Sequence, residues 1–414
     1  MQTTNSATFE DRITIAFSAL VILGLSLLSV TRWSISPKTI SAEEKRHLEA
    51  CPRLRMNWAS VSAFPSKFEA FANDRFALRT LLIGAISKVK YKALGVSQNP
   101  DVLPGKNGWL FYLGDREGYA FRHYRPFADT ELEAWARHFE ARRAWLAQRN
   151  IKYLVYVAPA KGEIYPEFVP DEYSRLNNPS RQDQFLDALK RFTKVQCVDL
   201  RGALLSEKEH FVWPLYLRTD THWNTLGAFI AYNRVASHLS ELLPSVIPAN
   251  LSDMAFSEFH NYDGDLTGLM GLSGQLPEHV VCVRNKHPRR WTQVNNPELP
   301  NLLVKSQFQP PVTTEVNDFH LPRAVFIRDS FMNTQQAFFS EHFRRVCYYW
   351  STCFPVPLIE HEKPDIVVEE FVERNLFADI PPNPRELDVL VEPELFASKK
   401  QKTELTRAAN LVTE

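Results

Sequence analysis

Apolar residues recur along this chain in two rhythms, and each rhythm predicts a different kind of element. Residues 64–90 place Phe68, Phe71, Phe76, Leu81 and Leu82 at near-helical spacing, interrupted by a polar Asn73-Asp74-Arg75 turn, which predicts a helical lead-in. Thr130 with Glu133 forms a capping-box pattern ahead of Leu132, Trp135, Phe139 and Leu146 on one helical face, with Asn150 as the stop. Five short runs rich in β-branched and aromatic residues, at 153–157, 195–200, 324–327, 345–350 and 365–368, predict buried strands. A helical segment carrying Phe185, Leu189 and Phe192 separates the first two runs, so helix and strand alternate. That alternation predicts an α/β fold with a largely parallel central sheet flanked by helices. Between residues 244 and 322 the periodicity fades and Pro and Asn accumulate, predicting a loop-rich insertion over one end of the sheet.

One apolar run fits neither rhythm. Residues 13–30 carry no charge, and 18 residues at helical rise span about 27 Å, close to the hydrocarbon thickness of a bilayer. Thr31-Arg32-Trp33 follows in place of a small-residue cleavage site, so the run reads as an uncleaved transmembrane anchor. Arg12 precedes it while Arg32, Lys38, Lys45 and Arg46 follow, so positive-inside counting does not by itself place the body outside. The expected organisation is a short tail at 1–12, an anchor at 13–30, a linker at 31–63, a catalytic body at 64–380 with its insertion at 244–322, and a tail at 381–414.

Charge narrows the choice of partners. Lys plus Arg and Asp plus Glu both total 48, so no global basic field exists to recruit nucleic acid. The five cysteines show no metal-type spacing, and in an oxidising compartment Cys51 with Cys282 and Cys347 with Cys353 are conceivable pairs. Asp263-Gly264-Asp265 lacks the remaining ligands of a calcium loop, and none of the 12 histidines belongs to an H-E-x-x-H motif. No metal and no cofactor are expected.

Two segments carry candidate chemistry. In Arg218-Thr219-Asp220-Thr221-His222-Trp223-Asn224, the carboxylate and the imidazole are two residues apart. In an extended segment they project from one side, so Asp220 can fix the tautomer of His222. The strand Ala324-Val325-Phe326-Ile327-Arg328 ends at Asp329-Ser330, which puts a small nucleophile at the carboxyl end of the sheet, where open α/β folds bind ligands. Taken singly, Ser330 also fits a helix N-cap, and Asp220 with His222 a satisfied loop pair. Asp329 fits a cap for the following helix. Arg328, Trp223, Asn224 and Lys161 divide between packing or surface roles and lining a substrate groove.

Together these segments resemble the alginate O-acetylation family of AlgJ and AlgX, whose catalytic domain is SGNH-hydrolase-like. The resemblance rests on Asp220-Thr221-His222-Trp223 and Asp329-Ser330-Phe331, and on Asn73-Asp74-Arg75-Phe76 with Arg79. Further matches are 105–111, Pro159-Ala160-Lys161 with Tyr165-Pro166, Gly264-Asp265-Leu266 and Pro364-Asp365. It implies an SGNH-like acetyltransferase with Ser330 as nucleophile, His222 as general base and then acid, and Asp220 orienting His222. It also implies a periplasmic location on the bacterial inner membrane, an exopolysaccharide substrate, and a multipass membrane O-acyltransferase supplying acetyl. An acetyl esterase and a non-catalytic polysaccharide-binding scaffold are the rival readings. The chain departs from the family pattern at one point: Arg328 stands where a glycine precedes Asp-Ser.

Overall fold

A computed structural model describes residues 49–53, 57–75, 79–296 and 309–380, with a few isolated positions beyond them. The apolar run at 13–30 lies outside the described residues, apart from one position, as does most of the tail after 380. Among the described residues, no helix is long and apolar enough to cross a membrane.

The chain divides into two units, Met1–Pro104 with Asp263–Leu276, and Gly105–Tyr262 with Pro277–Glu414. The first contains helices α1 (Trp58–Arg75) and α2 (Arg79–Leu94), so the polar break at 73–75 closes one helix and the second opens after it. Within this unit Asn99 Nδ2 donates to the carbonyl of Leu269, and Thr267 Oγ1 donates to Asp263 Oδ1.

The second unit is built on a seven-stranded sheet. Its strands, with those of a separate two-stranded ribbon, are β1 (Lys152–Ala158), β2 (Gln196–Asp199), β3 (Met254–Tyr262), β4 (Glu278–Asn285), β5 (Trp291–Val294), β6 (Val312–Val316), β7 (Arg323–Arg328), β8 (Arg345–Trp350) and β9 (Ile366–Val372). The sheet order is β2-β1-β9-β7-β8-β6-β5, and β3 pairs with β4 in the ribbon. The five strands foreseen from their apolar runs pair in parallel. Strands β6 and β5 add an antiparallel edge. The sheet is therefore mixed, which corrects the expectation of a largely parallel one. The antiparallel strands come from the stretch 244–322, whose short, partly exposed strands lack the continuous apolar signature of a doubly covered strand.

Helices cover both faces of the sheet. Alternate residues of a strand face opposite sides, so Val155, Val157, Val325, Ile327 and Val367 pack with α3 (Asp129–Ala147) and α4 (Arg181–Phe192) through Trp135, Phe139 and Phe185. On the other face Phe326 and Tyr348 meet Phe339 and Phe343, and α5 (Thr225–Leu242) lays Phe229 and Tyr232 against Phe338. The capping signal at α3 acts two residues earlier than the sequence suggests: the Ala128 N–H donates to Glu131 Oε2, and the helix opens at Asp129.

Two carboxylates, Glu369 and Glu370, interrupt the apolar run of β9, and they face opposite sides. Glu369 pairs with Arg142 of α3 and accepts the Tyr153 hydroxyl at 2.5 Å. Glu370 turns instead toward the carboxyl end of β7. All five cysteines are free thiols; Cys347 is buried in β8 and Cys353 is exposed, so neither conceivable pair is made.

Candidate active site

Three carbonyls organise the loop that carries Asp220 and His222. The chain folds back between Leu215 and Asn224, with a bridge between Tyr216 and Trp223 and a hydrogen bond from the Leu217 N–H to the His222 carbonyl at 3.1 Å. Lys161 reaches into this fold and donates from Nζ to the carbonyls of Leu217, Arg218 and Asp220 at 3.0, 3.2 and 2.6 Å. Its ammonium also lies 5.7 and 5.3 Å from the ring centres of Trp109 and Phe111. A buried cation is tolerable because its donors are met in this way. On the neighbouring stretch Glu278 accepts the N–H groups of Arg218 and Thr219, each at 2.8 Å, and the Thr219 hydroxyl.

A bulge in the ribbon places two supporting side chains against that loop. Phe259 opposes Val280 and Tyr262 opposes Glu278, so β3 has two residues, His260 and Asn261, where β4 has only His279. Asn261 takes a left-handed φ of 63°, as a residue inserted into a bulge often does. Without the insertion, Asn261 and not Tyr262 would stand beside Glu278. With it, Glu278 holds the backbone of the loop and Tyr262 donates its hydroxyl to Asp220 Oδ2 at 3.0 Å.

Asp220, His222 and Ser330 form a hydrogen-bonded series. His222 Nδ1 lies 2.7 Å from Asp220 Oδ1, and His222 Nε2 lies 2.8 Å from Ser330 Oγ. The His222 backbone N–H also donates to Asp220 Oδ1, at 3.0 Å. Asp220 and His222 therefore sit in a tight bend, not in the extended segment expected from their spacing. Asp220 is buried, whereas His222 and Ser330 keep partial exposure, so the open end of the series is the nucleophile end.

The turn bearing Ser330 is pinned from two sides. Asp329 accepts the Phe331 N–H on Oδ1 at 2.9 Å and the Val372 N–H on Oδ2 at 2.7 Å, and its own N–H donates to Glu370 Oε2 at 2.9 Å. One residue thus ties the ends of β7 and β9 together and also closes the following turn, Phe331–Thr334. Burial, together with the neighbouring Asp329 charge, holds the Glu370 carboxyl well above the usual carboxylate range.

The four residues proposed to line a groove are all buried, and each is engaged elsewhere. Trp223 donates its indole N–H to the Phe331 carbonyl at 3.0 Å and to Thr334 Oγ1 at 2.9 Å, joining the histidine loop to the serine turn. Asn224 caps α5 through the N–H groups of Leu226 and Gly227. A side chain at Gly227 would place its Cβ 2.2 Å from the Leu215 carbonyl, so this first helical turn requires glycine. Arg328 is 2% exposed, lies 4.6 Å from the Trp350 ring centre, and donates to the Asp329 carbonyl and to Asn333 Oδ1 at 3.0 and 2.7 Å. Burial lowers its affinity for the proton from the usual arginine value. Lys161 is 1% exposed. The geometry gives Lys161, Trp223, Asn224 and Arg328 buried positions behind the site, where they hold its loops in place, in keeping with the packing role among those open to them.

Sequence reasoning missed Tyr262, Glu278 and Glu370. Glu278 precedes an apolar strand and reads as an ordinary flanking charge. The signal for Glu370 was present: two adjacent carboxylates within the strand Ile366–Val372. Tyr262 depends on a bulge, which leaves no periodicity to read.

Residues 102–302 match the family model described as "SGNH hydrolase-like domain, acetyltransferase AlgX". The chain is similar to the "Probable alginate O-acetylase AlgJ" of Pseudomonas aeruginosa, with 30% identity over 235 residues, 56% of each chain. It is also similar to the protein of the same description from Azotobacter vinelandii, with 25% identity over 58% of this chain and 60% of that one. The chain thus spans somewhat more than half the length of the curated relatives it matches. Among solved structures, Bacillus cereus PatB1 shares the fold with a TM-score of 0.50 at 16% identity, over 67% of this chain and 98% of that one.

Proposed function

This chain belongs to the AlgJ/AlgX family through its SGNH-hydrolase-like domain, and from that premise we propose that it is a polysaccharide O-acetyltransferase acting through a serine acyl-enzyme. The observation that carries the reading is the series Asp220 Oδ1, His222 Nδ1, His222 Nε2 and Ser330 Oγ, with separations of 2.7 and 2.8 Å across the two hydrogen bonds.

In the first half-reaction the Ser330 oxygen attacks the carbonyl carbon of an acetyl donor while His222 Nε2 takes the hydroxyl proton. The tetrahedral intermediate collapses, the donor's leaving group departs with that proton, and an acetyl ester remains on Ser330. In the second half a sugar hydroxyl attacks the ester and gives its proton to His222, which returns it to Ser330 Oγ as the acetylated sugar leaves. Asp220 holds the Nδ1 proton and stabilises the imidazolium formed in each half. The amides on either side of Ser330 are already committed, to Glu370 and to Asp329, so the Ser330 N–H is the donor assigned to the oxyanion.

The acceptor in this reading is an exported exopolysaccharide such as alginate, a choice supported by the descriptions of the relatives. The body works in the periplasm, tethered to the inner membrane by the apolar run at 13–30. Acetyl-coenzyme A is a cytoplasmic donor, so a multipass membrane O-acyltransferase supplies the acetyl group across the bilayer.

Intact-mass spectrometry after incubation with 4-nitrophenyl acetate tests the acyl-enzyme step. The expected result is one added acetyl group on the wild type and none on Ser330→Ala; equal labelling of both overturns it. Adding oligosaccharide acceptors then separates transfer from hydrolysis, because transfer yields an acetylated sugar where hydrolysis yields only free acetate.

A further inference from the structure

The bulge that positions Tyr262 also assembles a second group of side chains on the outer part of the ribbon. His260 and His279 stand opposite each other across the two strands, with their rings stacked at 4.1 Å and 25°. Glu258, two residues before His260, places its Oε2 3.0 Å from His279 Nε2. One ligand atom from each of the three residues lies within 4.8 Å of the others, and all three side chains are exposed. A proton shared between His279 and Glu258 satisfies one pair of these groups. A divalent ion satisfies all three.

We propose that Glu258, His260 and His279 form a surface site for a divalent transition metal of the zinc type, with two imidazole nitrogens, one carboxylate oxygen and water as ligands. The donor set decides the class of ion: imidazole suits zinc, nickel and copper, whereas calcium and magnesium favour all-oxygen sites. Zinc bonds of about 2.0–2.1 Å place tetrahedral donors about 3.4 Å apart. The exposed side chains reach that spacing by rotamer adjustment, with no change to the core. His260 and His279 are 19 residues apart in sequence, so the site has no linear motif and exists only through strand pairing. An ion held here cross-links β3 and β4 at the bulge, immediately before the Tyr262–Glu278 pair that grips the Asp220 loop.

The test is zinc titration of the full chain in detergent, read by competition with a chromophoric zinc indicator and by the melting temperature. Wild type is expected to bind one equivalent in the micromolar range or tighter and to melt higher with zinc. His260→Ala and His279→Ala are each expected to weaken binding by at least about tenfold and to lose the thermal shift. Because all three side chains are exposed, the zinc-free variants should melt with the wild type, which separates loss of the site from loss of fold. Cobalt substitution adds a direct readout, since ligand-field absorption should appear in the wild type and vanish in the double variant. Absence of zinc binding by the wild type at this strength overturns the proposal, as does binding that the double variant retains.

Discussion

The Tyr262 hydroxyl donates to Asp220 Oδ2, while Asp220 Oδ1 accepts from both the ring and the backbone of His222. The two carboxylate oxygens therefore act separately, one orienting the histidine and the other anchored to the ribbon. Tyr262→Phe removes the anchor without changing the ring's packing. The expected outcome is a fall of about tenfold in the rate of Ser330 acetylation, the effect of one hydrogen bond to a charged group, with little change in melting temperature. Rapid-quench mass measurements of the acyl-enzyme check it.

Asp220→Asn keeps the shape of that carboxylate but replaces an acceptor facing His222 Nδ1 with a group that can also donate. The imidazole is then no longer held in the tautomer that leaves Nε2 free to accept the Ser330 proton. In a serine-protease triad this change lowers kcat by about 10⁴, and a loss of that order in acetylation rate is expected here. The same experiment measures it here, and a loss smaller than about tenfold would show that Asp220 does not set the tautomer.

Glu278 is a structural prediction of a different kind. Its carboxylate accepts three hydrogen bonds from Arg218 and Thr219 and is 4% exposed. Glu278→Ala leaves those donors without their partner, so a stability loss of about 2–4 kcal/mol is expected, together with slower acetylation. Denaturant melts of wild type and variant give the first quantity. Glu278→Gln, which keeps an acceptor oxygen, should recover part of it.

How much of the fold and site could be read in advance follows from where the information lies. The runs in β1, β7, β8 and β9 are doubly buried and almost wholly apolar, so they announce themselves, and the strand that delivers Ser330 was legible to within a residue. Asp220 and His222 are two residues apart and resemble a known motif, so the pair was legible too, although its bend was not. Lys161 was harder to place. An isolated lysine in a loop is usually solvated, and only the three converging carbonyls explain its burial. The ribbon was invisible because its strands are half exposed, and the shift that sets Tyr262 beside Glu278 comes from one inserted residue. A single-residue offset in pairing has no periodic signature.

His342 gives the pH prediction. Its ring stacks on Tyr232 and takes the Tyr232 hydroxyl on Nε2, and burial first, then the Arg290 charge, lowers its pKa to about 4. The unfolded chain has the ordinary value of about 6.5 and so binds more protons than the folded chain between the two. Stability from this group is therefore complete above about pH 6.5 and is lost as pH falls toward about 4, by on the order of 2–3 kcal/mol. Melting temperatures followed across that window should fall less steeply for His342→Gln, which keeps an acceptor for Tyr232 and has no proton to gain.

Arg328 departs from the family pattern, and its surroundings predict what restoring the family residue would do. The guanidinium packs on Trp350 and holds the Asp329 carbonyl and Asn333, next to the buried Glu370. The following turn is already fixed here by Asp329, and Arg328 itself ends β7 outside the left-handed region that favours glycine. Arg328→Gly therefore relieves no strain. It empties a side-chain volume in the interior and removes the cation nearest Glu370, for an expected destabilisation of about 3 kcal/mol or more. Acetylation of Ser330 should slow and not accelerate. Arg328→Lys, which keeps the charge but not the planar stacking or the fork of donors, should recover only part of the stability. A variant Arg328→Gly that acetylates faster than wild type at unchanged melting temperature would show that the arginine obstructs the site instead of supporting it.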